Sequence, residues 1–325
     1  MNRLTSLLTV CALGATASAS DLNLSIEASG QNAVTVSPGE IVTYNVVGEL
    51  SDSLNEGLAL FAIDLTMPGV TLTQAGAPVS ANMQQFNLPL GLTNPAGFGG
   101  TQTGATLKQV GGMQNTFRNT FAPVPTGSVI TGIAQPGTPE TLVSGQVQMP
   151  TASGTYVLDA SNVLANVIRQ GQTGIPAWFV DKANAGNVTP LTVTVEALSA
   201  NTNTLSLSAG GTINLTLDGG ASNAGKVYLL LGSASGTAPG FMVDGLNLPL
   251  NVDGFFTYLL NFPNAAPYSG SLGFLNGFGV GSTTINVPPG SFPSLAGLTL
   301  NHAFVVHNGI NVVLTSNAQS LTLLP

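Results

Sequence analysis

Charge is what this chain has least of. Six Lys and Arg and fourteen Asp and Glu among 325 residues make up 6% of the sequence, against roughly 25% in an ordinary soluble domain. Cysteine is nearly missing as well, since Cys11 is the only one. That excludes a disulfide framework, a zinc ribbon and a cysteine nucleophile. Two histidines, His302 and His307, leave little material for a metal site or a general base. The basic patches that nucleic acid or an anionic membrane surface would require are absent. No run of apolar residues is long enough for a transmembrane helix, which needs about 20.

The chain is instead rich in turn formers. Forty Gly and twenty Pro punctuate short apolar runs interleaved with Thr, Ser, Asn and Gln. Its first nineteen residues read as a signal peptide. Asn2-Arg3 forms a short basic head, Leu4 to Gly14 an apolar stretch, and Ala17-Ser18-Ala19 a small-x-small cleavage site. Val10 is bulkier than a lipoprotein signal takes before its cysteine, so ordinary cleavage is expected. The mature chain then has no thiol, five basic and fourteen acidic residues, and a net charge of −9 with His neutral. Secretion, to the medium or the cell surface of a Gram-negative-type bacterium, is the expected localisation.

Period-two alternation dominates the mature chain, and the expected fold class is all-β, with two β-sandwich domains of jelly-roll or Ig-like type in series. Residues 20–197 form the first domain, 198–203 a polar linker and 204–325 the second. Each domain opens alike. Ala33 to Val46 reads as strand, tight turn at Pro38-Gly39, strand; Thr204 to Leu217 repeats that plan around Gly210-Gly211. Further strands are expected at 22–28, 103–110, 128–133, 146–149, 155–158 and 178–180, then at 254–260, 270–275, 282–287, 299–306, 310–314 and 320–324. Asn162 to Arg169 alternates and is assigned as strand rather than helix, and a helical turn is expected near Ser291 to Ala296. Two long segments rich in Gly, Asn, Gln and Phe, 82–100 and 111–125, are either packed crossovers between sheets or binding loops.

The run from Val36 to Val46, followed by Gly57 to Leu65, resembles the opening strands of cohesin-like and carbohydrate-binding-module-like sandwiches. The second domain, with Pro267 to Gly273, Val287-Pro-Pro-Gly290 and Leu298 to Phe304, is similar to a C-terminal module of secreted bacterial proteins. The resemblance implies fold and compartment and carries no catalytic residue across. A dockerin-type calcium repeat is not present.

Catalytic motifs are missing. There is no Gly-x-Ser-x-Gly elbow, phosphate-binding loop or HExxH site. Asp218, Asp244 and Asp253 each precede Gly, as turn residues do. Asp64 interrupts an apolar strand and reads as an ion-pair or turn-stabilising acid. His302 shares a strand face with Leu300 and Phe304 and reads as a hydrogen-bonded core residue, while His307 belongs to a turn. Asp244, Asn251 and Asp253 are candidate calcium ligands, although the alternating acids of an EF-hand-like loop are missing. No other cofactor is expected. Trp178 and the pair Phe256 and Tyr258, two apart on an expected strand, are the candidate ligand-binding aromatics. These observations point to an extracellular, non-enzymatic structural or interaction protein of the adhesion or matrix kind. Its partner would be a cell-surface or matrix protein or a polysaccharide, and salt-promoted self-association through strand edges is expected. The alternatives are a carbohydrate-binding accessory protein and an outer-membrane β-barrel.

Overall fold

Alternation sets the inward face of the strands. In β1 (Asp21–Glu27), Leu22, Leu24 and Ile26 are buried and their neighbours are half-buried. The computed structural model describes residues 20–73, 99–113, 124–125, 131–170 and 177–325. Residues 1–19, expected to be a leader, most of the long segments 82–100 and 111–125, and the expected strand residues 128–130 lie outside the described residues. So does the side chain of Trp178.

Two hydrophobic clusters organise the described chain, one drawn from Leu22 to Val195 and one from Ala197 to Leu323. The first unit continues with β2 (Ala33–Val36), β3 (Ile41–Leu50), β4 (Leu58–Thr66), β5 (Gly99–Thr103), β6 (Thr106–Met113), β7 (Val124–Pro125), β8 (Glu140–Gln148), β9 (Gly154–Gln170), β10 (Ala177–Thr189) and β11 (Leu191–Val195). The second comprises β12 (Leu198–Ala200), β13 (Thr204–Ser206), β14 (Gly211–Asp218), β15 (Val227–Ser233), β16 (Phe241–Val243), β17 (Leu246–Leu248), α1 (Gly254–Asn261), β18 (Tyr268–Ser269), β19 (Leu272–Phe274), β20 (Val280–Val287), β21 (Thr299–His307), β22 (Val312–Thr315) and β23 (Gln319–Leu324).

The two units share one strand plan. In each, the opening strand pairs antiparallel with the third, β1 with β3 and β12 with β14. The short second strand crosses to the other sheet and pairs in parallel with the last, β2 with β11 and β13 with β23. The third strand adds a later partner, β8 or β20. The opposite sheet then runs β11-β9-β4-β6 in one unit and β23-β21-β15-β19 in the other, antiparallel throughout. In the first unit β10 is an extra strand that joins the two sheets, pairing with β9 through residues 178–183 and with β1 through 184–189.

Several expectations change. Ala33 to Val46 and Thr204 to Leu217 are each strand, turn and strand as expected, but the two strands do not pair with each other: the Pro38-Gly39 and Gly210-Gly211 turns carry the chain from one sheet to the other. Residues 198–203, expected as linker, include β12, and Leu198 is fully buried. Gly254 to Leu260, expected as strand, is helix α1: Asp253 accepts a hydrogen bond from Phe256 N and caps it, and Phe256 and Leu259 form its buried side. Asn162 to Arg169 lies within β9, as the alternation indicated, and Pro293–Leu295 is a short 3-10 turn. Among the described residues the sheets end in strands such as β5, β8 and β19. No described helix is long and apolar enough to cross a membrane.

The units meet at a tight junction. Ser37 Oγ donates to Asp218 Oδ2 over 2.6 Å. Gly220, at φ 76°, lies so close to Pro38 that a Cβ would collide with its carbonyl oxygen.

Candidate functional site

The second unit departs from the shared plan between β15 and β18, where it inserts the β16–β17 hairpin and α1. The sequence explains how this excursion is held. Asp244-Gly245, both at positive φ, makes the two-residue turn of the hairpin, and Asp244 Oδ2 accepts from Val312 N on β22. Asp253 ties the end of β15 to the start of α1. One carboxylate oxygen caps Phe256 N at 2.9 Å, and the other accepts from Ser233 Oγ, Ala234 N, Ser235 N and Ser235 Oγ at 2.8 to 2.9 Å. Burial works to raise the Asp253 pKa, but the hydrogen bonds from Phe256, Ser235 and Ser233 outweigh it and hold the carboxyl far below its usual range. Asn251 accepts from Gly240 N and donates to Ser235 O.

Each of the three calcium candidates is thus engaged in hydrogen bonds of this excursion, Asp244 with Val312 and both Asn251 and Asp253 with Ser235. The Asp253 oxygens are surrounded by donors, which a cation would have to displace. Among the described residues no group of three or more His, Cys, Asp and Glu side chains is arranged to hold a metal.

Over the outer face of the β15–β21 sheet the excursion leaves a cleft of about 410 Å³. Phe241, Val243 and Leu248 of the hairpin, Phe256 and Leu260 of α1, and Val227, Leu229, Leu231 and Val305 of the sheet form its walls. Phe241 meets Phe256 edge-on, with ring centroids 6.1 Å apart. The rim stays open: Phe241 is 42% exposed, Leu260 48% and Leu272 39%, and the apolar surface extends through Phe274 at 72%. Leu272 and Phe274 belong to β19, the end strand of its sheet. The Asn264 amide covers part of that edge, accepting from Leu272 N and donating to Leu272 O.

His307 is the one imidazole lining this cleft, and its Nδ1 accepts from Gly309 N at 3.0 Å. No carboxylate stands beside it in the wall. The arrangement can hold an apolar group, and it offers no acid–base pair. His302 lies elsewhere, wholly buried, with Nε2 2.7 Å from Tyr268 Oη and its ring edge-on to Phe255. Burial pushes its pKa down to about 4; Nδ1 is turned toward the backbone of Gln319 without a well-formed hydrogen bond. Asp64 stabilises backbone, as its place in an apolar strand suggested. It accepts from Gln109 N and Asn162 Nδ2, and both residues sit at positive φ in the bulged strands flanking β4.

The aromatic pair is not brought together. Residues two apart on a helix point to different sides: Phe256 lines the cleft, whereas Tyr258 lines a separate cavity across the helix. Trp178 sits on β10 opposite Gln170 and Val124. The cleft as such was missed from sequence. Its signal was the Asp253 cap followed by Phe255, Phe256, Leu259 and Leu260 at helical spacing.

No protein-family model matches the chain, and no curated protein sequence does either. Solved structures with similar folds include the sixth cohesin of scaffoldin B from Acetivibrio cellulolyticus, in complex with a dockerin. It is 16% identical, with a TM-score of 0.32, over 54% of this chain and 99% of that one. A non-cellulosomal cohesin from Archaeoglobus fulgidus is 11% identical, with a TM-score of 0.30, over 54% of this chain and 91% of that one. The major pilin subunit BcpA of Bacillus cereus is 10% identical, with a TM-score of 0.25, over 93% of this chain and 65% of that one.

Proposed function

We propose that this is an exported, non-enzymatic structural protein that assembles with other copies of itself through the cleft and the adjoining β19 edge of its second unit. The observation that carries the reading is the open apolar rim made by Phe241, Leu260, Leu272 and Phe274. Contiguous exposed apolar surface of this kind marks association sites.

Charge argues for a second copy as the occupant. Residues 197–325 contain three Asp, one Lys, and no Glu or Arg. All four are committed locally: Asp218 to Ser37 and Gly220, Asp244 to Val312, Asp253 to the helix cap, and Lys226 to Asn223. Eleven acids and four bases lie in residues 20–196. An uncharged apolar face selects an uncharged apolar partner, and another copy presents one in a self-complementary contact. Support for a non-enzymatic role comes from the chemistry of the cleft, whose only imidazole is engaged with backbone.

The test is capture of an untagged copy by a tagged one in 0.5 M salt. Wild-type chain should be captured, and the Leu260→Glu, Phe274→Glu double variant should not. Both side chains are exposed, so the variant folds. Equal capture of the two would refute the assignment of this face.

One observation favours the saccharide alternative. The space at the junction of the units, about 570 Å³, is lined by Glu40, Gln148, Thr151 and Asp218 and by the Phe278 ring, which is 81% exposed. Loss of glycan-array binding on Phe278→Ala would support that reading, and an array blank for the wild-type chain would refute it.

A further inference from the structure

Helix α1 has a second apolar side. Across it from the cleft, a slot of about 210 Å³ runs between the two sheets of the second unit. Ile285 and Val287 of β20 face Leu321 and Leu323 of β23 across it, and Tyr258 and Phe292 stand at its mouth. Those four aliphatic residues are buried, each with 2 to 5% exposure. A well-packed core closes such spaces, because the lining atoms of a void lose their contacts.

The slot offers nothing to a charge. No ionisable side chain other than tyrosine lines it. Both tyrosine hydroxyls are engaged, Tyr258 Oη with Ala266 O at 3.2 Å and Tyr268 Oη with His302 Nε2 at 2.7 Å. The volume exceeds the ~150 Å³ that accepts benzene in an apolar cavity.

Phe292 supplies an independent observation. Its backbone lies at φ 56° and ψ 44°, in the left-handed region. That region is unfavourable for a bulky side chain, and the following Pro293 disfavours it further. The loop holding Phe292 is fixed on both sides by Gly290 N to Leu207 O and Gly297 N to Leu323 O, each to a segment of the slot wall. Strain of this kind collects where a structure positions a group for use. Here it holds a half-exposed ring at the mouth of an apolar slot.

We propose that the slot is a binding site for a small, uncharged, apolar molecule of up to bicyclic aromatic size, with Phe292 as its closing ring. Shape and apolar contact select the ligand, and anionic or hydrogen-bonding head groups are rejected because the lining holds no charge and both of its hydroxyls already have partners. This site is separate from the assembly face, and either can fail without the other.

Naphthalene is the probe. Titrated into the full-length mature chain, it should bind saturably at one per chain and raise the melting temperature. Val287→Phe fills the slot and should abolish that binding while leaving the unliganded protein folded. Phe292→Ala, a change at an exposed position, should keep the fold and weaken naphthalene about fivefold or more, the scale of one aromatic contact. Phe292→Gly should weaken it equally while relieving the backbone. Absence of saturable binding up to the solubility limit of naphthalene would overturn the proposal. So would undiminished binding to Val287→Phe or Phe292→Ala. If Val287→Phe does not fold, the two Phe292 variants decide the question alone.

Discussion

Acidification should loosen the second unit through one side chain. His302 is wholly buried among Tyr268, Phe255 and β23, and desolvation lowers its pKa from 6.5 to about 4. The folded state therefore keeps the ring neutral, while the unfolded chain takes up a proton as the pH falls below 6.5. Stability is complete above pH 6.5, falls between pH 6.5 and 4, and levels off for this group below that. At 1.36 kcal/mol per pH unit the interval amounts to about 3 kcal/mol, of which about 2.5 kcal/mol is lost by pH 4.5. For a unit of this size that is on the order of 10 °C in melting temperature. Asp253 does not confuse the window. Its carboxyl is held below the ordinary value of 3.8, so its contribution is present above that value and is lost only at lower pH. Urea denaturation between pH 7.5 and 4.5 measures the effect, with His302→Leu combined with Tyr268→Phe as the reference that removes the pair without stranding a hydroxyl. The difference in stability between wild type and this variant should shrink as the pH falls. A difference constant across the range would refute a neutral, buried His302.

In the first core, Tyr44 lies opposite Gly145 on β8, and its ring occupies the place a Cβ at that glycine would take. Gly145→Ala should therefore destabilise the first unit by about 1–3 kcal/mol, the usual range for overpacking, read as a shift in its urea midpoint. Asp253→Ala removes the α1 cap and should cost about 0.5–2 kcal/mol, measured in the same way. Because donors already surround that carboxylate, 5 mM calcium should leave the melting temperature unchanged; a rise of several degrees would reinstate a cation site.

The strands of this protein were legible in its sequence because alternation marks them directly. Leu22, Leu24 and Ile26 in β1, and Leu191, Val193 and Val195 in β11, are inward on schedule. Pairing was not legible. Pro38-Gly39 specifies that the chain turns there, and says nothing about whether the next strand lies beside the last one or in the opposite sheet. The similar openings at Ala33 and Thr204 reflect a strand plan common to both units, which becomes visible only through β2 and β13 pairing with strands more than a hundred residues away. At Gly254 to Leu260 the two-residue spacing of Phe256 and Tyr258 suggested a strand, and the stronger local signals, an Asp cap and apolar residues three and four apart, favoured the helix that forms. The apolar cleft could not be read at all, because its walls come from β15, β16, α1 and β21 and no local pattern joins them.

Sedimentation across salt concentration tests the assembly claim most directly. The net charge, −8 for the whole chain and −9 if the leader is removed, repels copies at low ionic strength, and raising salt from 0.01 M to 1 M shortens the screening length from about 30 Å to about 3 Å. Apolar contact through the second unit should then prevail. The account predicts that the mature chain is monomeric at low salt and low concentration and forms a concentration-dependent dimer or larger species in high salt, while the Leu260→Glu, Phe274→Glu variant sediments as a monomer throughout. A wild-type chain that remains strictly monomeric at 1 M salt and the highest attainable concentration would contradict it.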